Sequence, residues 1–272
     1  MTSTTQSSAA ATFRSLHQEG LLLLPNAWDG GSARLLESLG AKAVATSSAA
    51  VAWAHGYPDG DVLPVPLLLG TVRELARVLR VPLTVDVEGG YSEDPARVAE
   101  TVAAVLEAGA VGINLEDGKG TPELLCAKVE QVKRAAARVG VDLFVNVRTD
   151  VYLRGLVPAE RRVEEVLARA KRYRSAGADG LFVPGAREAA DLRALVAGAG
   201  LPLNVLALPG VPPAAELAAL GVRRLSSGSG FAESLYARLQ ALAGDFLRTG
   251  ESAPLSREAL PYGQLNGLMA RG

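Results

Sequence analysis

The stretch LTVDVEGGYSEDPARVAETVAAVLEAGAVGINLED, residues 83–117, holds one complete structural unit. A run of β-formers (LTVDVE, 83–88) meets two glycines, and Asp94 and Pro95 then open an apolar-periodic helix that ends at Gly109. Asp suits an N-cap, Pro the first turn and Gly the end, so each boundary has a chemical reason. A second mostly apolar run, VGINLED (111–117), follows at once. Strand, crossover helix and strand in succession set the two strands parallel.

The same unit recurs outward in both directions. Before it stand LLLLPNA (21–27) with SARLLESLG, and AVATSS (43–48) with a longer excursion and then GTVRELARVL. After it, PELLCAKVEQVKRAAARVG follows VGINLED, and LFVNVRT (143–149), GLFVPG (180–185), LPLNVLAL (201–208) and RRLSSGS (223–229) each lead into a helical pattern. Continuous apolar strands alternating with helices predict a parallel sheet covered by helices. Eight units without a Gly/Ser linker close most economically into a (β/α)₈ TIM barrel. A doubly wound open sheet is the lesser alternative, because no G-x-G-x-x-G follows the first strand. The barrel is expected over residues 1–250, with 251–272 as a C-terminal extension that contacts another subunit.

At 272 residues and 49% hydrophobic, the chain has material for a large core. A net charge of −1 and a pI of about 6.2 argue against a nucleic-acid surface. One cysteine, Cys126, excludes a disulfide framework and a cysteine-rich zinc site, and its apolar-periodic helix assigns it to packing. No apolar run is long enough to span a bilayer, and the N-terminus lacks a basic-then-apolar leader, so a cytoplasmic location is expected.

Barrel chemistry sits at the C-terminal ends of the strands. Strand alternation sets Asp86 and Glu88 on one face, where two acids repel each other unless a cation lies between them. The next strand adds Glu116, and the one after it Arg148. Three oxygen donors without His or Cys suit a hard cation, Mg²⁺ best, and an arginine beside them suits a substrate carboxylate. For Asp29, Asp117 and Asp150, helix capping or pairing with arginine is the favoured reading. Of the two histidines, His17 is expected at the surface and His55 in the loop after strand two, within reach of the mouth. None of the five lysines ends a strand, which disfavours a Schiff-base aldolase. SSGSGFAE (226–233) resembles a barrel phosphate turn, but close helix packing explains its small residues better.

PNAWDGGSARLLESLG, ATSSAAVAWAHGYPDG, VDVEGGYSEDP, GAVGINLEDG and NVRTDVYL, in that order, resemble the isocitrate lyase/phosphoenolpyruvate mutase superfamily. The resemblance implies a (β/α)₈ barrel, homodimeric or homotetrameric, with its last helix swapped between subunits. It implies Mg²⁺, or Mn²⁺ in its place, holding a small 2-oxo acid or its enolate while a C–C or C–P bond is made or broken. Asp86 and Glu88 match the D-x-D pair, Glu116 the acid of the next strand, Asp59 the acid of the loop after strand two and Arg148 the substrate-binding arginine. Ser47, Ser48 and Ala49 match the segment that holds the substrate carboxylate. Two departures stand out: Glu88 replaces an aspartate, and DGKGTPELLC lacks the lid that carries the family's Lys-Lys-Cys-Gly-His or asparagine-bearing motif. The resemblance therefore implies a Mg²⁺-dependent carbon–carbon lyase of 2-oxo or 2-hydroxy di- or tricarboxylates. Oxaloacetate decarboxylation needs no dedicated acid, whereas isocitrate-type cleavage would draw a proton from His55 or Lys119. The alternatives are a phosphonopyruvate-type C–P mutase or hydrolase and a 2-oxo acid binding barrel without turnover. No membrane or nucleic-acid partner is expected.

Overall fold

The computed structural model describes residues 3–270. In chain order they form α1 (Ser3–Ser15), β1 (Leu22–Leu24), β2 (Asn26–Ala27), α2 (Gly30–Ser38), β3 (Val44–Thr46), α3 (Ser48–Ala54), α4 (Val65–Val78) and β4 (Leu83–Asp86). There follow α5 (Pro95–Glu107), β5 (Gly112–Glu116), α6 (Pro122–Val139), β6 (Phe144–Arg148), α7 (Arg162–Ala176), β7 (Gly180–Phe182) and α8 (Ala189–Ala199). The chain ends with β8 (Leu203–Leu206), α9 (Ala214–Leu220), β9 (Arg224–Ser226), α10 (Gly230–Thr249), α11 (Ala253–Ser256) and α12 (Tyr262–Met269).

All pairings are parallel, in the order β1-β9-β8-β7-β6-β5-β4-β3-β2. The first barrel strand is interrupted at Pro25, which has no N–H to give a ladder. Its first half pairs with β9 and its second with β3, so the two halves close the ring as a (β/α)₈ barrel. Asn26 fastens this seam from both sides. Its amide donates to the Thr46 carbonyl at 2.7 Å, and its Oδ1 accepts from Gly228 N–H at 2.9 Å. All eight strand–helix units expected from the sequence are present.

Along each strand, alternate residues face the helices. Val85, Ile113, Leu115, Val145 and Val147 pack with Val102, Val129 and Val132 of the helices in one buried cluster. The other set faces the barrel interior, and register puts Asp86 beside Asn114 and Glu116 beside Arg148 at the upper rim.

Helix α1 closes the opposite end. Its Phe13 is buried against Phe144, Leu22, Leu24, Ala43 and Ala45. His17 corrects the surface expectation: it is 3% exposed, stacks on Phe144 at 4.2 Å, and bonds the Phe13 carbonyl through Nδ1 at 2.8 Å. Burial pushes its pKa down to about 4, so the ring packs as a neutral aromatic.

The eighth helix, α10, leaves the barrel wall: of its twenty residues only Ala232 is buried, and Leu235, Leu239, Phe246 and Leu247 are exposed. An apolar groove of about 640 Å³ lies outside the first strand, lined by Leu23, Leu24, Leu36, Leu39, Leu225 and Phe231. The end of the chain turns back on its own barrel, where the Leu268 carbonyl accepts from Arg34 at 3.3 Å.

Candidate active site

Strand β4 stops at Asp86, and that stop decides the site. Asp86 continues the alternation into the barrel, and its Oδ1 accepts from Glu88 N–H at 3.0 Å. Glu88 has φ +52°, a left-handed conformation, so its side chain leaves the face it would share with Asp86 in a continued strand. The Glu88 carboxylate accepts from Gly60 N–H at 2.9 Å, from Asp61 N–H, and from the Tyr91 hydroxyl at 3.0 Å. It thus holds the loop between α3 and α4.

Glu116 ends β5 and pairs with Arg148 Nη1 at 2.7 Å. Arg148 is gripped on its other edge by Asp150, with bonds of 2.7 and 3.1 Å. Asp150 is fully buried and takes Arg154 as well, at 2.7 Å. Asp117 accepts from Arg169 and Tyr173 at 2.7 Å and from Asp150 N–H at 2.9 Å, while Asp29 caps α2 through Ser32 N–H at 2.6 Å. The capping-and-pairing reading holds for all three aspartates.

Burial pushes Glu116 up to about 8, with Arg148 pulling down and the charges of Asp86, Asp150 and Asp61 pushing up. Burial also pushes Glu88 up to about 7, against the Asp61 N–H bond and with Asp61, Asp59 and Asp86 adding repulsion. Asp86 is raised by burial too, opposed by Arg148 and by bonds from Glu88 N–H and the Asn114 side chain. Oxygen donors crowded together and short of counter-charge fit a hard divalent cation in chemistry. Among the described residues, no three acid, His or Cys side chains stand as a ready-made ligand cage. Glu88 is turned to the loop and Glu116 to Arg148.

A cleft of about 540 Å³ opens over this rim, lined among others by Glu88, Tyr91, Glu116, Lys119, Lys128 and Arg154. Asp59 lies near enough to act on both Asp86 and Glu88. Ser47 caps α3 through Ala50 N–H at 3.4 Å, and Ser48 and Ala49 form that helix's first turn at the end of β3. His55 is not among the residues that line the cleft, and its Nε2 lies on the Thr71 hydroxyl at 2.9 Å. Lys119 sits on the short connection before α6, and Cys126 packs against the core as expected.

Beside Asp86 lies a polar layer of strand-end asparagines, in which Arg224 is the member that the sequence did not announce. Asn114 Oδ1 accepts from Asn146 at 2.9 Å and from Arg224 at 3.3 Å. Arg224 is 1% exposed, with no acid within ion-pair reach among the described residues, and burial lowers its pKa to about 9. The signal was an inward strand position occupied by a charge, visible once β9 is paired with β8.

The family model for phosphoenolpyruvate phosphomutase matches residues 13–247. The chain belongs to that family. Its relatives include an uncharacterized protein of Mycobacterium tuberculosis, 35% identical over 93% of this chain and 94% of the relative. They also include an oxaloacetate decarboxylase of Paraburkholderia xenovorans, 32% identical over 84% of this chain and 77% of that enzyme. A crystal structure from Burkholderia cenocepacia, provisionally named a phosphonomutase, is 44% identical with a TM-score of 0.83, covering 87% of this chain and 99% of that one. The fold is shared with 2,3-dimethylmalate lyase, at a TM-score of 0.84 and 23% identity over 97% of this chain and 95% of that one. As a member of the phosphoenolpyruvate mutase/isocitrate lyase superfamily, the chain has lyases and mutases as relatives, which supports an enzyme.

Proposed function

We propose that this protein is a divalent-metal-dependent lyase of small 2-oxo or 2-hydroxy di- or tricarboxylates, with oxaloacetate decarboxylation as its leading reaction. The observation that carries the reading is Arg148, fixed on one edge by Asp150 and presented beside the acids of the barrel rim. Such a guanidinium is pre-oriented to exchange the Glu116 carboxylate for that of a substrate. The first turn of α3, with Ser47, Ser48 and Ala49, borders the same rim and would orient that carboxylate. Asp86, Glu88 and Glu116 would hold Mg²⁺ or Mn²⁺, directly or through water. The cation supplies stabilisation of the oxyanion that develops on the 2-oxo group.

In the decarboxylation, the bond between C3 and the distal carboxylate breaks and CO₂ leaves. Its electron pair passes to the carbonyl oxygen as an enolate, and C3 then takes a proton to give pyruvate. Only Asp117–Thr121 connect β5 to α6, a segment too short for a folded lid, with Lys119 as its single candidate proton donor. That favours a reaction in which no group need protonate a leaving carbon at once. For isocitrate-type cleavage Lys119 is the better placed proton donor, because His55 is engaged by Thr71.

The 44% identity to the provisionally named phosphonomutase favours a second reading, C–P chemistry on phosphonopyruvate-like substrates. The deciding test is an NMR time course with Mg²⁺ and oxaloacetate, isocitrate, 2-methylisocitrate or phosphonopyruvate, each against EDTA. EDTA-sensitive pyruvate from oxaloacetate, above its spontaneous rate, is the expected result. Product from phosphonopyruvate alone would replace the first reading with the second. Mg²⁺-dependent line broadening without turnover would make the barrel a 2-oxo acid binder.

Assembly belongs to the same reading. The bare apolar face of α10 and the apolar groove outside the first strand are complementary in chemistry, and a second copy of the chain would cover both in a homodimer or homotetramer.

A further inference from the structure

The three non-glycine residues with positive φ among those described are Asp61 (+58°), Glu88 (+52°) and Tyr91 (+59°), and all three bond one another. Glu88 accepts from the backbone of Gly60 and Asp61 and from the Tyr91 hydroxyl. Asp61 answers in the opposite direction, accepting from Tyr91 N–H at 2.9 Å and Gly89 N–H at 3.3 Å. Lys128 of α6 holds the far side of the turn through the Gly89 carbonyl at 2.6 Å. The fit leaves no spare room, since a Cβ on Gly89 would stand 2.7 Å from Asp61 Oδ2. Left-handed conformations are costly for such side chains and persist only where surroundings impose them. Three at one knot, tied across 27 residues of sequence by reciprocal carboxylate–backbone bonds, mark a built joint between the end of β4 and the loop of residues 55–64.

We propose that Glu88, Asp61 and Tyr91 form a clamp that fixes this loop at the edge of the cleft, and that Asp61 and Tyr91 are thereby positioning residues for Asp59. Asp59 is next to Gly60, whose N–H is one of the bonds to Glu88, so the clamp sets where the Asp59 carboxylate stands relative to Asp86. The second carboxylate of the strand-end pair thus serves the loop as well as the rim, and the longer glutamate side chain spans a gap that an aspartate would leave. At Gly89 the absence of a Cβ lets the loop's own carboxylate approach the strand-end backbone closely. The catalytic meaning of the clamp rests on the function proposed above; its mechanical meaning does not.

The test separates the two. Hydrogen–deuterium exchange on full-length Tyr91→Phe and Asp61→Asn is expected to speed up at Gly60 and Asp61 by about tenfold, near the worth of one hydrogen bond, while β4 to β6 stay protected. Asn tolerates the left-handed conformation, so Asp61→Asn removes the charge and one acceptor without changing the backbone demand. Turnover of the substrate found by NMR should fall in both variants. Combined with Asp59→Asn, neither should cause a further loss. Unchanged exchange in both variants overturns the clamp, and fully additive losses with Asp59→Asn overturn its positioning role. If Asp59→Asn has normal turnover while the loop still loosens in Tyr91→Phe, the clamp stands and the proposed site is what fails.

Discussion

At the scale of single residues, the site is governed by where each charge finds its partner. Arg148 meets Asp150 edge-on and Glu116 with its remaining nitrogen, a planar demand that an ammonium does not satisfy. Arg148→Lys is therefore expected to lower kcat/KM by about 10- to 100-fold, the range of one lost charge-assisted bond, with the fold intact by circular dichroism. An unchanged kcat/KM would remove Arg148 from the substrate's path. The residue chemistry that was legible in the sequence is local or pairwise. Asp29 caps the helix that begins at the next residue, and Asp117 and Asp150 find arginines, as acids at strand ends usually do. The divergence of Asp86 and Glu88 was not legible. It depends on a left-handed turn imposed by Gly60 and Asp61, whose approach no window around LTVDVEGGY contains.

At the scale of elements, the eight barrel strands were readable because parallel strands covered by helices carry mostly apolar runs, and each helix carries its own stops. The α1 plug was not, since ATFRSLHQ has little periodicity and His17 shows its role only when packed against Phe144. Helix α10 was readable as a helix but not as one that stands away from the wall, because its apolar face looks like any core-facing stripe. That face gives an element-scale expectation. Leu239 is 59% exposed in the single chain, so Leu239→Glu should change monomer stability by no more than about 0.5 kcal/mol. In an assembly that buries α10 it should shift the sedimentation coefficient to that of the monomer. A wild-type protein that sediments as a monomer would sink the proposed assembly.

At the scale of the whole molecule, Glu88 and Glu116 couple the site to stability. Both carboxyls ordinarily titrate near 4.5 and are raised in the fold, to about 7 and about 8. Between those limits the folded chain holds protons that the unfolded chain has released, so metal-free stability falls as pH rises through the window. Divalent cations bind the ionised groups and should restore that loss, most strongly above pH 8. The Tm of the metal-free protein is thus expected to be lower at pH 8.5 than at pH 6, with the gain on adding Mg²⁺ larger at pH 8.5. A gain independent of pH would place the cation elsewhere. The seam at Pro25 bears on how the molecule reaches this state. Joining Asn26 to Ser227 brings together residues 201 positions apart, whereas every other strand pair closes through one local crossover. Loop-closure entropy makes that contact the last worth forming, so the ring should assemble as an open, curling sheet and zip shut at the end. Asn26→Ala should then accelerate unfolding in stopped-flow denaturant jumps while refolding keeps its rate, which makes one buried amide the timekeeper of the barrel's opening.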